Sequence, residues 1–224
     1  MPCINMTKQD AEYVLTQFKD AGIENILALR GDGIEGRKPS CDFKHASELV
    51  EFIKQFDSKT GGNQFKVFGA CYPEQHPESE DVMSDIQGLK AKVDAGATHL
   101  ISQLFFDNEK FYRFLERAKL AGINVPIEAG IMPATNKKSI ERMVSLTNAT
   151  LPPKFINMME RYGDSPEAIR DAGIAYAVDQ IVDLVTNGVD GIHLYTMNNS
   201  YIAKRINEAV RSLFTVAPKD FVIK

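Results

Sequence analysis

Cysteine is scarce and scattered in this chain. Its 224 residues include three, Cys3, Cys41 and Cys71, far apart and without a C-x-x-C pair. That excludes a disulfide framework and leaves reduced thiols as the expectation. No segment approaches the roughly 18 uninterrupted apolar residues of a membrane span, and "MPCINMTKQD" lacks the basic-then-apolar order of a secretory leader. The expectation is a soluble, cytoplasmic protein with no membrane partner. No dense run of Lys and Arg is present, and 26 basic against 30 acidic residues leave a net charge of −4, so nucleic acid is excluded as an expected partner. The chain also lacks a G-x-G-x-x-G after its first apolar run and a G-x-x-x-x-G-K-[ST] anywhere, which removes the main support for the usual dinucleotide and P-loop folds.

What is present is a repeated unit. The segments "DAGIENILALRGD", "DAGATHLISQLFFD", "LAGINVPIEAGIMP" and "TNGVDGIHLYTMN" each end a helical pattern at a glycine, Gly22, Gly96, Gly122 or Gly188, and pass to an apolar run that stops at polar residues. Glycine just past a helix suits the left-handed closing conformation, and near-continuous apolar runs suit strands covered on both faces. "FKVFGACYPE" after Gly61-Gly62 adds another, giving about five strands. Between them lie amphipathic patterns over Gln9 to Asp20, Ala46 to Phe56 and Asn108 to Ala121, and a helix with Ser165 as N-cap and Pro166 at its first position. "DSKTGGNQ", Asp57 to Gln64, reads as a loop extension, and "TVAPKDFVIK" as a short tail.

Alternating helices and parallel strands allow an open doubly wound sheet or a (β/α)8 barrel, and the missing nucleotide motifs favour the barrel. The fold class expected is therefore α/β of the (β/α)8 TIM-barrel type, as one partial domain over 1–224. It is expected to be incomplete and to lack its first strands, with "PCIN" as the end of a sixth strand. In either architecture chemistry gathers at the carboxyl ends of the strands. Those ends carry Arg30-Gly31-Asp32, Tyr72-Pro73-Glu74, Gln103, Pro133 and Tyr195-Thr196.

Taken in order, "LRGD", "YPEQHPES", "DIQGLKAKVDAGA", "ISQLFFD", "GIMP" and "HLYTMN" together resemble the methylenetetrahydrofolate reductase family over almost the whole chain. The resemblance implies FAD as cofactor, NADH or NADPH as co-substrate, and reduction of 5,10-methylenetetrahydrofolate to 5-methyltetrahydrofolate in one-carbon and methionine metabolism. It implies flavin contacts at Arg30, Gly31, Asp32, Ala46, Tyr72, His76, Asp85 and Lys92, and catalytic and folate-binding roles for Asp32 and Gln103. No metal is implied. Lys92 and His76 offer donors of the kind a pyrophosphate needs, with a helix start near Pro77 to Val82 as a further source. A carboxylate at Asp32 would act on charge that develops in the reaction. Gln103 offers donors and an acceptor without adding charge.

Plainer readings stand beside these. Arg30-Gly31-Asp32 also fits a turn with a surface ion pair, Asp85 and Lys92 an exposed pair on one helix face, and Gln103 a polar group closing a strand. His76 among carboxylates has no second histidine at ligand spacing. His193 reads as structural, Tyr195 as either a ligand-stacking or a rim residue, and Cys71 as core packing. Departures from the family pattern fall at Gly88 and Ala91, where Asn and Arg touch the flavin, at Asn199, where an arginine meets folate, and at Ser139. The family's proton-donating glutamate, carried on its first strand, has no counterpart here. The alternative is then a catalytically inactive fragment or assembly subunit, with a homo-oligomer or a chain supplying the N-terminal strands as partner. A lyase or aldolase barrel is a further rival, weakened because no lysine ends a strand where a Schiff base would need one.

Overall fold

The computed structural model describes residues 1–31, 42–62, 65–147 and 149–216. Five strands, β1 (Asn25–Ala28), β2 (Lys66–Cys71), β3 (His99–Ser102), β4 (Ile127–Ile131) and β5 (Gly191–Leu194), form one sheet in the order β1-β2-β3-β4-β5. The β1–β2 and β4–β5 pairs are parallel, with Ile26 opposite Val67 and Gly130 opposite His193. Sheet order that follows chain order, with a helix at every crossover, is barrel grammar. A doubly wound sheet reverses direction at a switch point, and none occurs among the described strands. In "PCIN", Pro2 forms an isolated parallel bridge to Leu29, and the Cys3 and Ile4 amides donate to the Leu29 and Arg30 carbonyls.

Eight α-helices are described: α1 (Lys8–Asp20), α2 (Ala46–Lys59), α3 (Val82–Asp94), α4 (Asn108–Leu120), α5 (Lys137–Thr147), α6 (Pro153–Tyr162), α7 (Pro166–Thr186) and α8 (Ser200–Val210). Their starts follow local chemistry. Thr7 and Asp10 close a capping box on α1, and the Ser165 hydroxyl accepts from the Ala168 amide ahead of Pro166 on α7. The four glycines of the repeat all adopt positive φ, from 70° at Gly22 to 115° at Gly96. Part of the supposed loop at Asp57 to Gln64 is helical, because α2 runs on to Lys59. The reason is Asp57, which is buried, accepts from the Phe65 amide at 3.2 Å and pairs with Lys54 at 3.7 Å.

The described residues group into two compact units. The first comprises 1–71, 79–101 and 116–126, with a core that includes Leu15, Ile26, Leu49, Ile53 and Val67. The second comprises 72–78, 102–115 and the chain from 127 onward, with Phe106, Met132, Ile140, Phe155 and Ile169 in its core. No helix among the described residues is long and apolar enough to cross a membrane.

Candidate functional site

In the first unit, Arg30 and Gly31 follow β1. Gly31 has φ of +85°, and a Cβ there would lie 2.8 Å from Pro2 Cβ and 2.9 Å from Ile4 Cγ2. Glycine is therefore required by backbone conformation and by packing alike. Asp32 lies outside the described residues. Ala46 opens α2 and is buried.

The carboxyl end of β2 carries the clearest electrostatic feature of this unit. The stem of Lys92, in the last turn of α3, crosses β2 over Gly69, where a Cβ would sit 2.6 Å from Lys92 Cδ. Its Nζ donates to the Ala70 carbonyl at 2.5 Å. Burial holds the Lys92 ammonium below the ordinary lysine pKa, against the opposing pull of Cys71 and Asp85. Burial likewise pushes the Cys71 thiol up to about 12, with Lys92 pulling it back. Asp85, two turns before Lys92, accepts from the Ser79 hydroxyl at 3.2 Å. The chain thus brings Asp85, Lys92 and Cys71 into one field, and Cys71 is core packing as its surroundings indicated. A partly desolvated ammonium with donors beyond the one on Ala70 fits an anionic group, so Lys92 suits a cofactor phosphate.

The start of α3 contributes less than the sequence implied. Its N-cap is Asp81, whose carboxylate accepts from the Ser84 amide at 2.7 Å and the Ser84 hydroxyl at 2.9 Å. These bonds hold the Asp81 carboxyl below its usual range. A helix start already holding its own carboxylate is a poor place for a second anion.

In the second unit, Tyr72 and His76 pack edge to face with ring centres 4.5 Å apart. His76 Nδ1 accepts from the Glu78 amide at 3.1 Å, which places the proton of a neutral ring on Nε2. The same loop is tied down by Glu74, whose carboxylate accepts from the Thr150 amide at 2.8 Å and from the Thr150 hydroxyl. Gln103 follows β3 and is half-buried. Tyr195, left between two readings above, has its hydroxyl on the Ser102 carbonyl at 2.9 Å. Asn199 is the N-cap of α8, accepting from the Ile202 amide, so the side chain at this departure from the family pattern serves the helix. At Gly88 a Cβ would meet nothing within 4 Å, so packing does not demand glycine there.

Two residues escaped the sequence reading although a signal existed. Gly69 and Gly130 lie inside strands, where glycine marks a close approach of another group. Gly69 makes room for Lys92, and Gly130 for the Ser102 backbone and the Tyr195 ring. A groove of about 640 Å³ beside β5, walled by Ile181, Ile192, Leu194, Ile206, Val210 and Phe214, contains none of the candidate residues. No group of three or more potential metal ligands occurs among the described residues.

The family model described as methylenetetrahydrofolate reductase matches residues 1–211. The chain belongs to the methylenetetrahydrofolate reductase family. It is 33% identical over 207 residues to the 5,10-methylenetetrahydrofolate reductase of Pectobacterium carotovorum subsp. carotovorum, covering 92% of this chain and 66% of that protein. Against the 5,10-methylenetetrahydrofolate reductase of Escherichia coli (strain K12) the identity is 35%, with 92% and 67% covered. Against the Methylenetetrahydrofolate reductase (NADH) 1 of Arabidopsis thaliana it is 35%, with 88% and 35% covered. The chain therefore spans about two thirds of the length of its bacterial relatives and about one third of the plant one. Among solved structures, a Clostridium thermocellum protein described as binding two copies of 5-methyl-5,6,7,8-tetrahydrofolic acid aligns with a TM-score of 0.59 at 14% identity, covering 96% of this chain and 72% of that one. That likeness is one of fold, and it agrees with the barrel-type strand order of this methylenetetrahydrofolate reductase family member.

Proposed function

We propose that this chain carries out flavin-dependent reduction of 5,10-methylenetetrahydrofolate to 5-methyltetrahydrofolate with NADH or NADPH as the hydride source. The observation that carries this reading is the family match over 1–211, supported by Lys92, which occupies one of the positions that the resemblance assigns to flavin contact. Bound FAD would supply the hydride chemistry itself, so the residues of the chain have to bind, orient and tune it. Lys92 would meet a cofactor phosphate and regain in charge pairing what burial takes from it. His76, with Nδ1 engaged by the Glu78 amide, would present Nε2–H as a donor. Glu74, holding the same loop to Thr150, would fix where Tyr72 and His76 stand. Gly31 would let the backbone approach the ring system. Asp32 would favour a cationic folate, and Gln103 would hydrogen-bond the pterin or flavin edge without adding charge.

The test is the visible spectrum of the purified chain after incubation with FAD and desalting, followed by anaerobic addition of NADH or NADPH and then of 5,10-methylenetetrahydrofolate. The expected result is a retained, perturbed flavin band that the nicotinamide bleaches and the folate restores. A colourless protein would overturn the reductase reading for this chain. A flavin that bleaches and is not restored by folate would confine the proposal to its first half-reaction.

A further inference from the structure

Where β3 meets β4, side chains take part in the bonding of the strand backbones. The Leu100 amide donates to the Pro126 carbonyl. Gly130 N–H donates to the Ser102 hydroxyl at 2.8 Å. The Ser102 carbonyl accepts from Tyr195 OH at 2.9 Å. The same Ser102 hydroxyl donates to the Gln103 carbonyl at 3.0 Å.

Ser102 is fully buried, and its bond with the Gly130 amide is buried with it. The arrangement depends on Gly130, since a Cβ there would lie 2.1 Å from the Ser102 carbonyl oxygen and 2.8 Å from Tyr195 Cε2. Tyr195 is itself held from its other side by His193, whose ring packs at 70° with centres 4.8 Å apart. The backbone on both sides of the Ser102–Gln103 peptide is therefore fixed by side chains from β3 and from the end of β5.

We infer that Tyr195 and Ser102 are positioning residues for Gln103, locking the peptide that aims its side-chain amide. The inference rests on the reading of Gln103 as a folate-contacting group. Tyr195 acts through the Ser102 carbonyl. Its ring fills the space that Gly130 leaves, and its hydroxyl sets the orientation of the peptide.

The experiment uses the full chain labelled with ¹⁵N-glutamine, the Gln103 side-chain amide signal being identified by its loss in Gln103→Ala. Tyr195→Phe keeps the ring and removes the hydroxyl. The expected result is a cooperative melt lowered by no more than the loss of one hydrogen bond, with a Gln103 amide signal that shifts or doubles, and Ser102→Ala moves the same signal. A Gln103 signal identical to wild type in Tyr195→Phe overturns the inference. Binding of 5-methyltetrahydrofolate to the same variants then separates the two readings. Tyr195→Phe is expected to weaken binding about tenfold or more, and the double variant Tyr195→Phe/Gln103→Ala to bind no worse than Gln103→Ala alone. Additive losses would make Tyr195 independent of Gln103 and overturn the positioning role. Absence of folate binding in wild type, with a Gln103 signal that still moves in Tyr195→Phe, would overturn the folate reading while the positioning role stands.

Discussion

Cys71 and Ser102 are small side chains that depend on where the chain puts them. Cys71 is buried with its thiol pushed up to about 12, above the ordinary value near 8.5. The sign follows from proton linkage: a raised folded pKa favours the protonated, folded form, and this contribution is complete below about pH 8.5 and lost as pH climbs toward 12. Cys71→Ala lacks the titration. The stability gap between wild type and Cys71→Ala should therefore shrink by about 2–3 kcal/mol between pH 8 and pH 11, read from urea melts at each pH. A gap independent of pH would show that the thiol ionises as freely in the folded chain as in the unfolded one. Ser102→Ala strands the buried Gly130 amide without its acceptor, for an expected cost of about 1–3 kcal/mol in the same melts. Neither effect was legible in sequence. Cys71 could be read as core from its place in an apolar run, but the role of Ser102 depends on Gly130 and Tyr195, 28 and 93 residues away, and no local pattern reports contacts at that separation.

The elements were more legible, because their signals are local. Helix ends marked by Gly22, Gly96, Gly122 and Gly188, and the Ser165-Pro166 start of α7, needed only a few neighbouring residues to be read. Asp57 reads as loop because a carboxylate shortly before Gly-Gly looks like turn chemistry, whereas its partner is the Phe65 amide beyond the turn. Two helix glycines make a contrast that sequence alone does not offer. Gly88 in α3 faces open space, while a Cβ on Gly173 in α7 would lie 1.8 Å from the Ala134 carbonyl oxygen. Gly88→Ala is then expected to stabilise the chain by about 0.5–1 kcal/mol through helix propensity. Gly173→Ala is expected to destabilise it by several times that amount, because backbone must move to admit the methyl group. Thermal melts of the two variants decide this, and a shared direction of change would contradict the packing described for α7.

At the scale of the molecule, barrel order is readable from the rhythm of strand and helix, while the candidate flavin residues come from the family resemblance. Their energetics were not, since the burial of Lys92 depends on Gly69 lying beneath its stem. That burial makes a prediction for the whole chain. A lysine whose ammonium is disfavoured by desolvation contributes little to the stability of the ligand-free protein, so Lys92→Met, with a similar stem and no charge, should melt no lower than wild type. The cost should appear only with cofactor. A ligand that binds the folded state alone stabilises it by about 2.7 kcal/mol at a hundred times its dissociation constant, and for a domain of this size each kcal/mol is worth about 2–4 °C. FAD at saturating concentration should raise the wild-type melting temperature by about 5–10 °C on those figures, and riboflavin, which lacks the phosphates, by much less. In Lys92→Met the FAD shift should fall to the riboflavin value while the riboflavin shift stays unchanged. Equal losses for both ligands would place Lys92 against the ring system, and an undiminished FAD shift would leave the buried ammonium as a structural feature with no part in cofactor recognition.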